Sequence, residues 1–316
     1  MAKVSVRKAM CASILEHARR DSSIMTVCTD SRGSVTIGQL AQELPEQFVE
    51  AGIAEQNAVA VSAGLAIAGH KTFVCGPACF LAARAYEQVK VDVAYNCTDV
   101  KIIGVSAGVS YGPLGCTHTS LHDFAGMRAL PNIEVIAPSD AVQALAVGDY
   151  LAAHRGPAYV RMGRGDVESV YAPGETFEPG KAKMVCDGTD VTIIACGEMV
   201  YPAKQAASLL AEEGVRARVL DMFFLKPADE DAIARSARET GAIVTVEEHS
   251  VNGGLGEMVS RVVCAVRPVP VKVMGFPDEE YPVGKSGELM AHYGLTAEGI
   301  ARRAKEAVAM KSGERP

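Results

Sequence analysis

Short apolar runs alternate along this chain with longer segments of helical spacing, and that alternation limits the fold more than any other feature. The runs lie at residues 23–29 (SIMTVCT), 72–75 (TFVC), 100–106 (VKIIGVS), 133–137 (IEVIA) and 156–161 (GPAYVR). Between them, residues 4–20, about 78–96 and about 140–154 carry helical patterns, with a shorter one ending near Leu130. Strands separated by helices build mostly parallel sheets with helices on both faces. From 163 to 183 the pattern dissolves into Gly, Pro, Asp and Glu without periodicity, which marks a domain boundary. Strand-like runs return at 191–195, 217–221, 242–248 and 269–275. A chain of 316 residues can bury two cores of ordinary size. The expected architecture is therefore α/β with two domains, each a mostly parallel sheet with helices on both faces. The expected boundaries are 1–170 for the first domain, 171–183 for a linker and 184–316 for the second.

Several function classes drop out early. A net charge of −7 gives a nucleic-acid partner no electrostatic footprint. The basic terminal run RRAKEAVAMKSGERP reads as the solvated face of a helix. No apolar run is long and clean enough to span a membrane. The start, MAKVSVRKAMCASILEHARR, reads as a basic amphipathic helix rather than a secretory leader. The nine cysteines are scattered, without CxxC pairs or histidines at metal-ligand spacing. Cys28, Cys75, Cys79, Cys186, Cys196 and Cys264 fall in or beside apolar segments and read as buried small hydrophobes of a reducing compartment, so a cytoplasmic location without disulfides or structural zinc is expected.

Residues 45–71, PEQFVEAGIAEQNAVAVSAGLAIAGHK, stand apart. After the first turn this segment has almost no charge and almost no bulk, a composition that expects burial on all sides. Glu55 is the one carboxylate at its start. Burial there disfavours the charged form unless a donor or the helix N-terminus offsets it. Glu50, five residues earlier, would point about 140° away on a helix, so the two carboxylates are not a pair. From these residues alone Glu55 could equally be an ordinary first-turn Glu. Asp30 at a strand end could be an Asx-turn residue. Phe80 could be a core aromatic, His118 a hydrogen-bonded structural histidine, and Arg161 or Arg164 half of a surface ion pair.

The run E-A-G-I-A-E-Q-N resembles the G-I-x-E-x segment of the transketolase family and of the similar 1-deoxyxylulose-5-phosphate synthases. The resemblance extends to CFLAARAYEQVKVDVAY, to THTSLHDFAGMRALPNIEVIAPSDA and to GPAYVRMGRG. In the second domain it includes EEHSVNGGLGE and the closing GFPDEEYPVGKSGELMAHYGLTAEGI. It implies a thiamine-diphosphate-binding fold, with a pyrimidine-binding domain followed by a transketolase C-terminal domain. It also implies roles for particular residues. Glu55 would hold the aminopyrimidine ring, Asp30 would lie near the cofactor, Phe80 would stack on the pyrimidine, and Arg84 stands where bacterial relatives carry Arg. His118 would contact substrate oxygens near the reacting carbon. Arg164 would bind a sugar phosphate, with Arg161 in reserve, because a guanidinium fork binds two oxygens at once. Gly253, Gly254 and Gly256 are assigned an architectural role.

Full-length relatives carry an upstream half marked by Gly-Asp-Gly, and this sequence has none. The resemblance thus implies the C-terminal subunit of a split transketolase that transfers a two-carbon ketol unit between sugar phosphates. Its partner would be an N-terminal-half subunit holding the diphosphate and a Mg2+ or Ca2+ ion, in an α2β2 assembly with a homodimeric contact. Ser106 replaces a family histidine, and Leu114 in Gly-Pro-Leu-Gly replaces an acid that reads sugar hydroxyls, so a non-standard sugar is expected. The other readings are a deoxyxylulose-phosphate synthase-like or other thiamine enzyme subunit, or a non-catalytic partner that keeps the fold.

Overall fold

Strands that read as near-continuous apolar runs need cover on both faces. In the computed structural model, which describes residues 3–311, Ile24–Cys28 and Val100–Val105 are buried at every position. They belong to a seven-stranded sheet ordered Phe224–Lys226, Glu134–Ile136, Ala158–Arg161, Val100–Val105, Lys71–Pro77, Ile24–Cys28, Phe48–Glu50. Six of its strands run parallel, and Phe224–Lys226 lies antiparallel against Glu134–Ile136. A five-stranded sheet follows, ordered Val271–Phe276, Ile243–Ser250, Val191–Ala195, Ala217–Asp221, Lys183–Cys186. Only Lys183–Cys186 is antiparallel in it. The two-domain α/β architecture is as the alternation implied. Parallel register also brings the carboxyl ends of the first sheet's strands to one edge, where such sheets bind ligands.

Three local readings change. The helix expected over 4–20 spans Val6–Ala18, because Val4–Ser5 pairs antiparallel with Asp166–Val167 and the Ser5 hydroxyl caps the helix. The helix expected over 78–96 is broken. Ala78–Ala83 stops near Ala85, whose φ of −96° and ψ of 14° leave the helical region, and the path resumes as a π-helix over Val89–Tyr95. The stretch from Pro45 splits into a single 3-10 turn, an edge strand Phe48–Glu50 and a helix Glu55–Ile67. That helix buries only Glu55, Ala58, Val59, Ser62 and Ala63. Ala60, Gly64 and Ile67 stand exposed on its other face, so the all-round burial its composition asks for is not met within this chain.

The glycine run of the second domain does serve close approach. The Glu247 carboxylate accepts the Leu255 and Gly256 amides at the start of helix Leu255–Val266, at 2.7 and 2.8 Å. A Cβ at Gly254 would stand 1.9 Å from that carboxylate, and one at Gly256 would stand 2.3 Å from Val273. All nine cysteines are unpaired, and among the described residues no helix is long and apolar enough to cross a membrane. On helix Ala297–Lys311, Arg302, Arg303 and Lys305 face solvent while Ala301, Ala304 and Ala307 are buried; residues 312–316 of the basic run lie outside the described residues.

The segment between the domains is tied to the second sheet through Tyr171, whose hydroxyl donates to Asp221 Oδ2 at 2.7 Å. Asp221 is fully buried and its Oδ1 has no hydrogen-bond partner. Burial pushes its carboxyl up from 3.8 to about 7. A folded-state value above the unfolded one stabilises the fold at low pH, and the contribution is lost as pH rises through the folded value. Asp221→Asn keeps an acceptor for Tyr171 and removes the titration. It should therefore flatten the Asp221 component of the pH dependence. Between pH 4 and 7 the wild-type Tm should fall by a few degrees relative to the variant, which thermal melts across that range would show.

Candidate functional site

Glu55 opens its helix at the edge where the parallel strands end. Ala54 offers no side-chain cap, so a first-turn carboxylate complements the free amides there. Glu55 is 1 % exposed, and its Oε2 accepts from Arg84 Nη1 at 2.6 Å. A donor and a helix N-terminus thus both reach this buried acid. Arg84 is itself 46 % exposed, and its guanidinium lies 4.6 Å from the Phe80 ring centroid, a favourable cation–π distance. The Phe80 ring meets His118 edge-on at 5.3 Å. On its other side His118 meets the Tyr111 ring at 5.9 Å. Tyr111 in turn carries the Arg164 guanidinium, 4.9 Å over its ring, with Arg164 Nη1 donating to the Tyr111 hydroxyl at 2.7 Å. Glu55, Arg84, Phe80, His118, Tyr111 and Arg164 therefore form one unbroken line of contacts.

The loop over residues 106–122 supplies the middle of that line, and the second domain clamps it. Gly108 and Ser120 form a bridge inside the loop, and the Val109 amide donates to Glu248 Oε1 at 2.9 Å. Gly108, at φ +61°, faces the same carboxylate, and a Cβ there would stand 2.2 Å from it. Thr119 Oγ1 lies 2.7 Å from the Tyr281 hydroxyl, and the Ser250 amide donates to Leu121 O at 2.9 Å. A Cβ at Gly112 would stand 2.3 Å from Gly284 O. Within the loop, His118 Nδ1 sits 2.8 Å from Thr117 Oγ1, while its Nε2 has no partner among the described residues. Ser106 is fully buried in a left-handed conformation (φ 57°) with an unpartnered hydroxyl, and Leu114 is 55 % exposed.

Two expected site residues stand apart from the line. Asp30 is exposed at the end of Ile24–Cys28, and its amide donates to Glu50 Oε1 at 2.7 Å. Among the described residues no hydrogen bond or ion pair joins it to the other candidates. Arg161 is turned inward: it is 6 % exposed, 3.0 Å from Asp123 Oδ2, and donates through Nη2 to Glu248 O at 2.5 Å. Its guanidinium also lies 4.5 Å from the Phe124 ring centroid. At that exposure Arg161 is enclosed by protein, which leaves little room for a phosphate to reach it. Arg164, half-buried, keeps Nε and Nη2 without partners among the described residues. Tyr111 is the residue that sequence reasoning passed over; its only signal was an aromatic side chain within a glycine-rich loop at a strand end. No group of three or more His, Cys, Asp or Glu among the described residues is placed to hold a metal ion.

The family model described as the transketolase pyrimidine binding domain matches residues 2–169, and that for the transketolase C-terminal domain matches 180–300. The chain is similar to an apulose-4-phosphate transketolase subunit of Phocaeicola vulgatus, 53 % identical over 306 residues, covering 96 % of this chain and 98 % of that one. It is 39 % identical over 305 residues to a putative transketolase C-terminal section of Methanocaldococcus jannaschii, covering 95 % of each. A 1-deoxy-D-xylulose-5-phosphate synthase of Desulforudis audaxviator is 34 % identical, but the match spans 48 % of its length. Among solved structures, a split-gene transketolase described as an inactive beta4 tetramer superposes with a TM-score of 0.89 at 38 % identity, covering 98 % of this chain and all of that one. The chain belongs to the transketolase family, as the subunit of a split transketolase that carries the pyrimidine-binding and C-terminal domains.

Proposed function

We propose that this chain, joined to an N-terminal-half subunit, transfers a two-carbon ketol unit from a ketose phosphate to an aldose phosphate. The line of contacts from Glu55 to Arg164 carries the reading, because it sets an acid at one end, a phosphate-type guanidinium at the other and a histidine between. The family implies thiamine diphosphate. The residues present fit its pyrimidine end: a buried carboxylate paired to a partly exposed arginine, beside a half-buried aromatic. Asp30 is the further candidate at this edge. The metal ion, Mg2+ or Ca2+, and the diphosphate are assigned to the partner.

When bound, thiamine diphosphate supplies a nucleophilic thiazolium carbon and an electron sink. Glu55 holds or shares a proton at its carboxyl with the pyrimidine ring, and Arg84 balances the charge when that proton leaves. His118 presents its free Nε2 to oxygens near the reacting carbon. Arg164 takes two phosphate oxygens through Nε and Nη2. Leu114, in the place of an acid, cannot accept from a sugar hydroxyl, which supports a donor other than the standard pentose phosphates. The name of the Phocaeicola vulgatus relative makes apulose 4-phosphate the first donor to test. A 36 % identical subunit from a Clostridium strain is named for 6-deoxy-6-sulfo-D-fructose, so ketose selection in such chains is open to change.

The uncovered face of helix Glu55–Ile67 supports assembly. Ile53 and Ile67 are 76 % and 74 % exposed, and Ala60 and Gly64 let another backbone approach closely. Residues of this kind mark an interface. The α2β2 arrangement, with this face against a neighbouring subunit, is our reading. Gly64→Glu should then weaken or abolish subunit association in sedimentation while leaving the fold of the single chain intact; unchanged association would remove the face from the interface.

Glu55→Gln in the reconstituted complex should lower ketol transfer by about 10²–10⁴-fold while the subunits still assemble. Wild-type turnover in that variant would end the assignment. The ion pair has a separate signature. Arg84→Met should destabilise the chain by about 1–3 kcal/mol through the stranded carboxylate. Adding Glu55→Gln should recover most of the lost Tm, which thermal melts of the two variants would test.

A further inference from the structure

Tyr111 lies outside the chain's hydrophobic clusters, although it is half-buried. Its side chain meets Arg164, Ser34 and His118. The hydroxyl accepts from Arg164 Nη1 at 2.7 Å and donates to Ser34 Oγ at 3.1 Å, so one donor and one acceptor are both used. Arg7, from helix Val6–Ala18, donates to Ser34 O and fixes the short helix Arg32–Val35 on which Ser34 sits. The neighbouring Ser110 hydroxyl accepts the Arg164 amide at 3.2 Å, so adjacent loop residues clasp both the backbone and the guanidinium of Arg164. Gly112, against Gly284 O, closes the loop immediately beyond.

An arginine side chain is long and has many rotamers, and ordering it costs conformational entropy each time it binds. Here that freedom is removed in advance. The guanidinium lies over an aromatic face, one N–H is spent on the ring's own hydroxyl, and the remaining N–H edge is left open. The same ring meets His118 at 5.9 Å. Tyr111 therefore fixes the separation between the group proposed to meet the reacting end of the sugar and the group proposed to meet its phosphate.

We propose that Tyr111 is a positioning residue that pre-orders Arg164 and sets its distance from His118, so that the site selects ketoses bearing a phosphate at a fixed reach from the carbonyl. The proposal rests on the reading of Arg164 as the phosphate ligand. It predicts a loss confined to phosphorylated donors and seen in KM, because a pre-ordered anion clamp contributes to binding rather than to the chemistry at the carbonyl.

The test uses the complex reconstituted with its N-terminal-half subunit and two donor pairs, apulose 4-phosphate with apulose and xylulose 5-phosphate with xylulose. Tyr111→Phe keeps the ring and removes the hydroxyl. It should raise KM for the phosphorylated member turned over by about tenfold, leave kcat within about twofold, and leave kcat/KM for the unphosphorylated member unchanged. Arg164→Ala should lose the phosphate preference altogether, and the Tyr111→Phe/Arg164→Ala double variant should be no worse than Arg164→Ala. Tyr111→Leu, which also removes the ring, should in addition change the ratio between the two phosphorylated donors. An unchanged KM in Tyr111→Phe, or equal losses for both members of a pair, overturns the proposal while the Arg164 result stands. A phosphate preference that survives Arg164→Ala overturns the reading of Arg164, and the proposal falls with it. The same holds if the wild-type complex acts on none of the four sugars.

Discussion

The site depends on one buried guanidinium that touches no part of the line it supports. Arg161 leaves the end of strand Ala158–Arg161, pairs with Asp123 and donates across to the backbone of Glu248 in the second sheet. The Tyr159 hydroxyl donates to the same Asp123 carboxylate at 2.8 Å, and Phe124 covers the guanidinium face. Breaking one partner out of such a set would strand a charge in a place water does not reach, which costs far more than the pair contributes when whole. The network therefore acts as a registry device. It fixes how the strand Ile243–Ser250 meets the first sheet, and with it the carboxylate of Glu248 that holds the loop at Val109. The second domain thus acts on the site without entering it.

From that join the rest of the site takes its shape. The loop over 106–122 is held to the second domain by Val109 and Leu121, packed into its core, and by hydrogen bonds and glycine contacts. On this fixed loop His118 and Tyr111 face the fixed helix ends that carry Glu55 and Phe80. Rigid elements on both sides are what the proposed proton-sharing acid and phosphate clamp would require, since errors of an ångström there are costly. The weakest cover lies on the outer face of helix Glu55–Ile67, where small apolar residues meet solvent. A buried acid at the root of a half-exposed helix is an unfinished arrangement, and an added subunit would complete it.

Much of the fold was legible because alternation and burial are local records. The runs at 24–28, 100–105, 191–195 and 217–221 announced buried strands, and buried strands alternating with helices build parallel sheets. Short edge pieces were not legible. Phe48–Glu50, Lys183–Cys186 and Phe224–Lys226 are too brief for a period to register, and Phe224–Lys226 pairs with a sheet almost ninety positions upstream. The all-round burial read from residues 45–71 is not met within this chain, where Ala60, Gly64 and Ile67 stay exposed; the proposed assembly would supply it.

The sequence by itself determined the two α/β domains, the acid at the start of the featureless helix, and the residue types Phe80, Arg84, His118 and Arg164, because spacing, hydropathy and motif are written along the chain. Only the tertiary structure decided which arginine is free and which is locked. Arg161 and Arg164 stand three positions apart at one strand end, and the family resemblance could rank them but not show what each one meets. One meets Asp123 and the backbone of the second sheet; the other meets Tyr111 from a loop more than fifty residues upstream. A polar side chain's role is set by the partners that distant segments bring to it, and that information exists only once the chain has closed on itself.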